Sequence, residues 1–374
     1  MDRVRVTAPG RVNLLGEHVD YNGGQVLPAA IDLRLSVTCA RRQDALIELF
    51  SGDSKPPVRI GRDLDSHQDV EGKAIPSWAL YPAGVAWALR GRGLEVAGIS
   101  ATVRSDLPIG VGLSSSAALE VAFALAWQAL GGWGVDRMDL AKVCQRAEND
   151  YVGMSCGLMD QFAVLHGVRD HALLFDTRNL AWEKVPFPRQ AAIVIADSGV
   201  RRELVSSGYN ERRRSCEEAV SQLRARLPGL PCLADVTPTQ LEKHVRVLDP
   251  VTSKRARHVV EECERVRRGI DLLRRGDATG FGELMYEGHA SLRDLYEVSC
   301  RELDVLVETA RTLPGCFGSR LTGAGFGGCT VSLVDWNHVE EFTRGLAQGY
   351  HRETGRQASV FVTRASDGAE AVSF

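Results

Sequence analysis

Residues 108 to 120 read PIGVGLSSSAALE, a glycine-rich turn that runs without a break into an apolar helix. Gly110 and Gly112 let the backbone turn tightly and come close to another group. Ser114, Ser115 and Ser116 then open a helix predicted over 115–130, which stops at Gly131-Gly132. That helix is apolar nearly all round, interrupted by Glu120 and Gln128, so it has to be buried, and it is too short to span a bilayer. A helix N-terminus presents unpaired N–H groups and a partial positive charge. Turn and helix mouth together make a cradle for an anion such as a nucleotide phosphate, and the serine hydroxyls can reach a magnesium ion. No GxxxxGKS or GxxxxGKT occurs, so this is not a Walker loop. A plain capped turn uses the same residue types, but three serines feeding directly into Ala-Ala-Leu favour the cradle.

The rest of the chain sets the frame for that helix. Its 374 residues are enough for two domains, and 44% hydrophobic with 25% charged residues is ordinary for a soluble globular protein. The formal net charge of −3 leaves no bulk positive field, so neither nucleic acid nor a membrane surface is an expected partner. Any bound phosphate must be held by local geometry. Nine cysteines at scattered spacings, without a CxxC pair, argue against a disulfide framework or zinc site and for a reducing cytoplasm. The opening MDRVRVTAPG lacks an apolar core of signal-peptide length.

Strands are predicted over 3–8, 29–40, 98–105, 172–176, 191–197, 329–334 and 358–363, with 45–60 strand-like and then irregular. Helices are predicted over 75–90 (bent or delayed at Pro82), 137–151, 158–166, 253–275, 280–297 and 337–354. The DLDSHQD stretch at 63–69 lacks the glycine and terminal glutamate of a calcium loop and reads as a surface loop. Strands and helices without regular alternation indicate an α+β protein. A domain boundary is expected near 180–190, in RNLAWEKVPFPRQ, dividing the chain into 1–185 and 186–374.

Four further clusters carry candidate chemistry. PGRVNLLGEHVDYNGGQVLP (9–28) gathers Arg11, Glu17, His18, Asp20 and Tyr21 in one turn. It is a solvated loop, a metal site or the wall of a pocket for a ligand rich in hydroxyls. In helix 137–151, Leu140, Cys144 and Glu148 share a stripe, which puts a carboxylate on an apolar row unless it snorkels at the rim. A magnesium ion would compensate that charge. CGLMDQF (156–162) sets Asp160 in the first turn of a helix, either complementing the dipole or accepting a substrate proton. LTGAGFGGCTVSL (321–333) is a loose GxGxxG that precedes a strand, so it fails as a dinucleotide fingerprint and reads as a loop buttressing a site.

In this order the motifs resemble the galactokinases of the GHMP small-molecule kinase family, nearly end to end. GRVNLLGEHVDYNGG resembles the galactokinase opening signature, PIGVGLSSSAA the family's phosphate loop and LTGAGFGG its third motif. AENDYVGMSCGLMDQF, SSGYNERRRSCEEA, RHVVEECERV and GHASLRDLYEVSCRELD match the pattern between them. Val19, Arg301 and Ser366 depart from it where threonine or isoleucine, proline and glycine are more usual, and the chain opens almost at the first motif.

The resemblance implies a two-domain α+β fold with the active site in the cleft between domains. It implies transfer of the γ-phosphoryl of ATP to the C1 hydroxyl of galactose, with Mg2+ as cofactor. Asp160 and Arg11 would be catalytic. Glu17, His18, Asp20, Asp160 and Tyr209 would contact the sugar. Gly110, Val111, Gly112, Leu113, Ser114, Ser115 and Ser116 would wrap the ATP phosphates, and Ser116 and Glu148 would hold magnesium. A hexose presents a ring of hydroxyls, so fixed polar partners in the opening turn are what epimer discrimination needs, and the metal reading of that turn falls away. A monomer is expected. A related sugar kinase acting on N-acetylgalactosamine or arabinose, or a catalytically silent sensor of galactose and ATP, are the alternatives. The intact Ser116-Ala117, Arg11 and Asp160 weigh against the sensor.

Overall fold

In the computed structural model the chain enters as β1 (Arg3–Asn13), passes through the opening loop and returns as β2 (Gln25–Val26) and β3 (Pro28–Arg41). Residues 2–52, 56–108, 110–201 and 205–374 are described, without the side chains of 205–207. Ile109 of the phosphate loop, residues 53–55 of the strand-like segment and the Ser206 and Ser207 side chains of the SSGYNERRR stretch lie outside that description.

β4 (Ile47–Ser51) and β5 (Val58–Ile60) form a hairpin, followed by α1 (Ser77–Gly91), β6 (Ile99–Ser105) and α2 (Ser115–Gly131). α2 packs on β1 and β3, and Ala117, Ala118, Val121, Phe123 and Trp127 are fully buried. Its burial nearly all round is what the apolar sequence required. α3 (Arg137–Arg146) and α4 (Met159–His166) flank it.

Next come β7 (His171–Asp176), β8 (Trp182–Pro186), β9 (Ala191–Asp197), α5 (Val205–Leu223), α6 (Pro238–His244), α7 (Pro250–Arg274), α8 (Ala278–Ser291) and α9 (Arg301–Thr312). The chain closes with β10 (Cys316–Thr322), β11 (Cys329–Asp335), α10 (Val339–Thr354), β12 (Ser359–Thr363) and β13 (Glu370–Ser373). Three sheets result among the described residues, ordered β13-β1-β3-β6-β4-β5, β10-β11-β9-β12 and β2-β7-β8. The last strand therefore returns to the first sheet beside β1. Among the described residues no helix is long and apolar enough to cross a membrane.

Several boundaries differ from those read in the sequence, each for a physical reason. α1 starts directly after Pro76, as the sequence indicates, but is not delayed at Pro82, which lies inside it; the hydrogen bond lost there is offset by packing of the buried Ala79, Ala83 and Ala86 face. The helix expected over 137–151 gives way at Ala147–Val152 to a π turn, as does the one over 280–297 at Leu292–Tyr296. Such wide turns insert a residue and re-aim side chains, and they gather at functional sites. The polar 182–186 stretch, placed in the boundary region, is β8 paired with β7. The 63–69 loop lies on the surface as expected, with Leu64 alone buried.

Charge inside the fold is balanced at one buried junction. Arg320 of β10 and Glu262 of α7 are both fully buried. Arg320 Nη1 donates to the Leu14 carbonyl (3.0 Å) and to Glu262 Oε1 (3.1 Å), while Glu262 also accepts from Gly16 N (2.7 Å) and Arg265 Nε (2.6 Å). Burial pushes the Glu262 carboxyl upward, but Arg265, Arg320 and His258 outweigh it and hold the group below its usual range. The junction ties the opening loop to elements more than half the chain away. Arg320→Met should lower stability by about 3–5 kcal/mol, because it breaks a buried ion pair and leaves Glu262 with Arg265 alone as its close cation. An unchanged urea midpoint would show that the junction holds nothing together.

Candidate active site

β1 reaches the site through a register irregularity between Pro9 and Arg11. A bulge of this kind turns a side chain out of the normal alternation. Gly10 is required there by a close approach: a Cβ would lie 2.4 Å from Leu107 Cδ2 and 2.9 Å from the Leu113 carbonyl. Arg11 N donates to that same carbonyl (3.2 Å), so β1 passes directly beneath the phosphate loop.

The Arg11 side chain then closes three contacts. Nε and Nη2 donate to Asp160 Oδ1 and Oδ2, both at 2.8 Å, and Nη1 donates to the Gly112 carbonyl at 2.6 Å. A planar fork of this kind fixes a carboxylate in orientation as well as position. Asp160 sits in the first turn of α4, and its Oδ2 also accepts from Ser114 Oγ at 2.5 Å. Ser114 is the N-cap of α2, held at φ 58, and it spends its hydroxyl on Asp160 rather than on its own helix. Among the polar contacts described, Oδ1 has only Arg11 as its partner, with Nε at 2.8 Å and Nη2 at 2.7 Å.

That cavity, of about 690 Å³, is lined by every residue expected to contact sugar, phosphate or metal except Val111 and Leu113, which are buried; Tyr21 of the opening turn does not line it either. Arg11, Glu17, His18, Asp20, Gly110, Gly112, Ser114, Ser115, Ser116, Glu148 and Asp160 come from the first half of the chain, and Tyr209, Asn210, Gly323 and Ala324 from the second. The volume is within the range of small-molecule sites.

The opening turn is held rigidly. Glu17 is buried, and its Oε1 accepts from Gly323 N (2.8 Å) and Thr322 Oγ1 (3.1 Å) of the third glycine loop. Burial raises its carboxyl, opposed by Arg320 and Arg11. His18 takes φ 62, and its Nδ1 shares a hydrogen bond with the Tyr21 hydroxyl (2.8 Å). Burial, aided by His258, lowers the imidazole to about 3, so it is neutral. Its ring packs against Tyr296 and Tyr209 at centroid distances of 4.7 and 5.6 Å. Asp20 lies against the backbone of residue 157, where any Cβ would fall 1.9 Å from its Oδ2. Burial, then Asp160, raises Asp20 to about 7.

Glu148 lies within the π turn after α3, and Leu140 and Cys144 of the same stripe are fully buried. Its carboxylate is hydrogen-bonded by Ser116, Cys156 and Gln161, yet burial and then Asp160 still raise it. A carboxylate and a serine hydroxyl facing a cavity, with uncompensated negative charge around them, are suited to a hard cation. Among the described residues no group of three or more His, Cys, Asp or Glu is arranged to hold a metal alone. This donor set therefore fits an ion that also takes oxygens from a phosphate, as magnesium does.

The third glycine loop lies backbone to backbone against the phosphate loop. A Cβ at Gly328 would be 3.0 Å from the Val111 carbonyl, and one at Gly323 would be 3.3 Å from that of Gly112. Sequence reasoning missed Gly157 and the wall made by Ser77, Trp78, Tyr81, Arg104 and Ser105. Trp78 and Tyr81 were readable only as apolar residues of a helix; their half-burial at the cavity distinguishes them from core.

The GHMP kinases N terminal domain model matches residues 81–168, the galactokinase galactose-binding signature matches 2–41, and the GHMP kinases C terminal model matches 270–352. The chain is 48% identical to the galactokinase of Roseiflexus sp. (strain RS-1), over 98% of this chain and 92% of that one. It is 44% identical to the Homo sapiens galactokinase, over 98% and 91%. The crystal structure of Lactococcus lactis galactokinase complexed with galactose superposes with a TM-score of 0.93 at 34% identity, covering 98% of this chain and 95% of that one. With the phosphate loop, the Arg11–Asp160 fork and the polar opening turn gathered at one cavity, the chain belongs to the GHMP kinases and, among them, to the galactokinase family.

Proposed function

We propose that this protein transfers the γ-phosphoryl of MgATP to the C1 hydroxyl of D-galactose, yielding galactose 1-phosphate and ADP. It would act as a monomer in the cytoplasm, with its cleft between halves 1–185 and 186–374. The observation that carries the reading is the Asp160 carboxylate, clamped by Arg11 at the N-terminus of α2. Phosphoryl transfer depends chiefly on positioning and on neutralising charge, and this arrangement supplies both.

The sugar's C1 hydroxyl meets the Asp160 carboxylate, which orients it and takes its proton as the new P–O bond forms. Glu17, His18, Asp20 and Tyr209 receive the other hydroxyls. Neutral His18 can donate or accept through one nitrogen, whereas the carboxylates only accept. The N–H groups of residues 110 to 116 and the α2 dipole hold the nucleotide phosphates, and Trp78 and Tyr81 offer flat walls to its base. Ser116 and Glu148 would hold magnesium, whose charge offsets that of the phosphates. The cysteine usage supports the compartment: Cys156, Cys232 and Cys316, each partly exposed, keep free thiols.

A coupled ADP-release assay across galactose, glucose, N-acetylgalactosamine and arabinose tests the whole reading. Turnover on galactose well above the others is expected, and sugar-independent or absent ADP release would refute it. Asp160→Asn should lower kcat by about 10²-fold or more while ATP still binds; near-normal turnover would remove Asp160 as the base.

Asp20 gives a pH signature. With its carboxyl raised to about 7, the free protein is protonated there below neutrality and ionised above. Accepting sugar hydroxyls favours the ionised form, so binding releases a proton and galactose affinity rises as pH rises through about 7. Calorimetry in buffers of different ionisation enthalpy should detect that release in the wild type and not in Asp20→Asn. Equal release in both would assign the proton elsewhere.

A further inference from the structure

Early in α2, among inward residues that are otherwise apolar, stands Glu120, fully buried. The proposed reaction does not use it. Its Oε2 accepts from Gln161 Nε2 at 3.0 Å, and that same nitrogen donates to Glu148 Oε2 at 2.7 Å. A primary amide carries two hydrogens on one nitrogen, so a single side chain can serve both carboxyls at once. Gln161 is fully buried and follows Asp160 in sequence, so the first turn of α4 supports both. Glu120 Oε1 and Gln161 Oε1 are buried and have no hydrogen-bond partner among the described residues. A carboxyl placed there at such cost, with one contact that leads to Glu148, is poorly explained as packing.

We propose that Glu120 is a positioning residue which, through the Gln161 amide, fixes the orientation of the Glu148 carboxylate and so sets the site's affinity for a divalent cation. The inference rests on the reading of Glu148 as a magnesium-facing group. Anchored by Glu120, the Gln161 amide plane has one orientation, and its second hydrogen aims at Glu148 Oε2. Cys156 Sγ reaches the same oxygen at 3.2 Å, and Ser116 bonds the carboxylate as well. Without the anchor, the amide is free to turn its carbonyl toward Glu148, which replaces a donor with a repelling acceptor. Burial, followed by the charge of Glu148, raises the Glu120 carboxyl well above its ordinary range.

The test compares Glu120→Leu, Glu120→Gln and Gln161→Met with the wild type, with Glu148→Gln as control. Calorimetric ATP binding is titrated with MgCl2, and the galactose KM and thermal midpoint are measured alongside. Glu120→Leu and Gln161→Met should each raise the magnesium concentration needed by about tenfold, the usual size for losing a group that orients a ligand, with the galactose KM unchanged. Glu120→Gln keeps a carbonyl acceptor for Gln161 and should titrate as the wild type does. A merely structural Glu120 would move the thermal midpoint and leave the magnesium titration alone, which would overturn the inference, as would equal shifts in Glu120→Gln and Glu120→Leu. Should Glu120→Leu fail to fold, an unshifted Gln161→Met is decisive against it. An unshifted Glu148→Gln would remove the metal assignment itself; a shifted Glu148→Gln beside unshifted Glu120→Leu and Gln161→Met would defeat the relay alone.

Discussion

The Arg11 guanidinium joins three pieces of chain: the end of β1, the carbonyl of Gly112 in the phosphate loop, and the carboxylate in the first turn of α4. Its backbone N–H adds Leu113 to the set. A group with five donors and no acceptor can satisfy such a junction, and a lysine could not hold the fork. The geometry depends on what lies around it. Gly10 must be bare for β1 to pass under the loop, and Ser114 must take left-handed φ for its hydroxyl to reach Asp160. Backbone strain at α2's first residues is thus coupled to the placement of the reactive carboxylate.

Around this fork the protein concentrates buried carboxyl groups, of which Asp160 and Glu17 face Arg11 or Arg320 and the rest have no cation beside them among the described residues. Glu17, Asp20, Glu120 and Glu148 are each raised by burial as the leading cause, and Asp20, Glu120 and Glu148 are raised further by neighbouring carboxyls. Contrast Glu262, buried as deeply but flanked by Arg265 and Arg320. Glu262 serves the fold, whereas Glu17, Asp20 and Glu148 line the cavity. Under the proposed function, hydroxyl donors and a cation would relieve the desolvation that these groups carry in the free protein.

What could be read from the residues follows this division. The phosphate loop was legible because glycines, serines and an apolar helix make a local pattern whose meaning does not depend on distant chain. Glu148 stood out as a carboxylate on an apolar stripe, whereas Asp160, at a helix start where an acid is ordinary, was given its catalytic role only by the family resemblance. Helix 137–151 was overextended because a π turn costs one misaligned hydrogen bond and leaves no mark in periodicity. β10, CFGSRLT, was missed because its glycine, serine and arginine break the alternation; Gly318 packs against Gly282 and Arg320 goes to Glu262, reasons visible only in three dimensions. Gly157 and Gln161 have the same character. Each matters through a neighbour far away in sequence, Asp20 for one and Glu120 for the other.

Those distant pairings also determine when a site can exist. Glu17 closes on Thr322 and Gly323, Gly16 on Glu262, and Asn13 on Thr322, so the opening turn has no fixed shape until the second half of the chain has packed. Contacts so far apart in sequence form late, since closing the intervening loop costs entropy before any contact repays it. The cradle at the mouth of α2 draws on the nearer β1 and α4, and the third glycine loop then closes against Gly112 and Val111. The opening turn is the part of the cavity that depends most on the whole fold, because its anchors are nearly all in the second half of the chain.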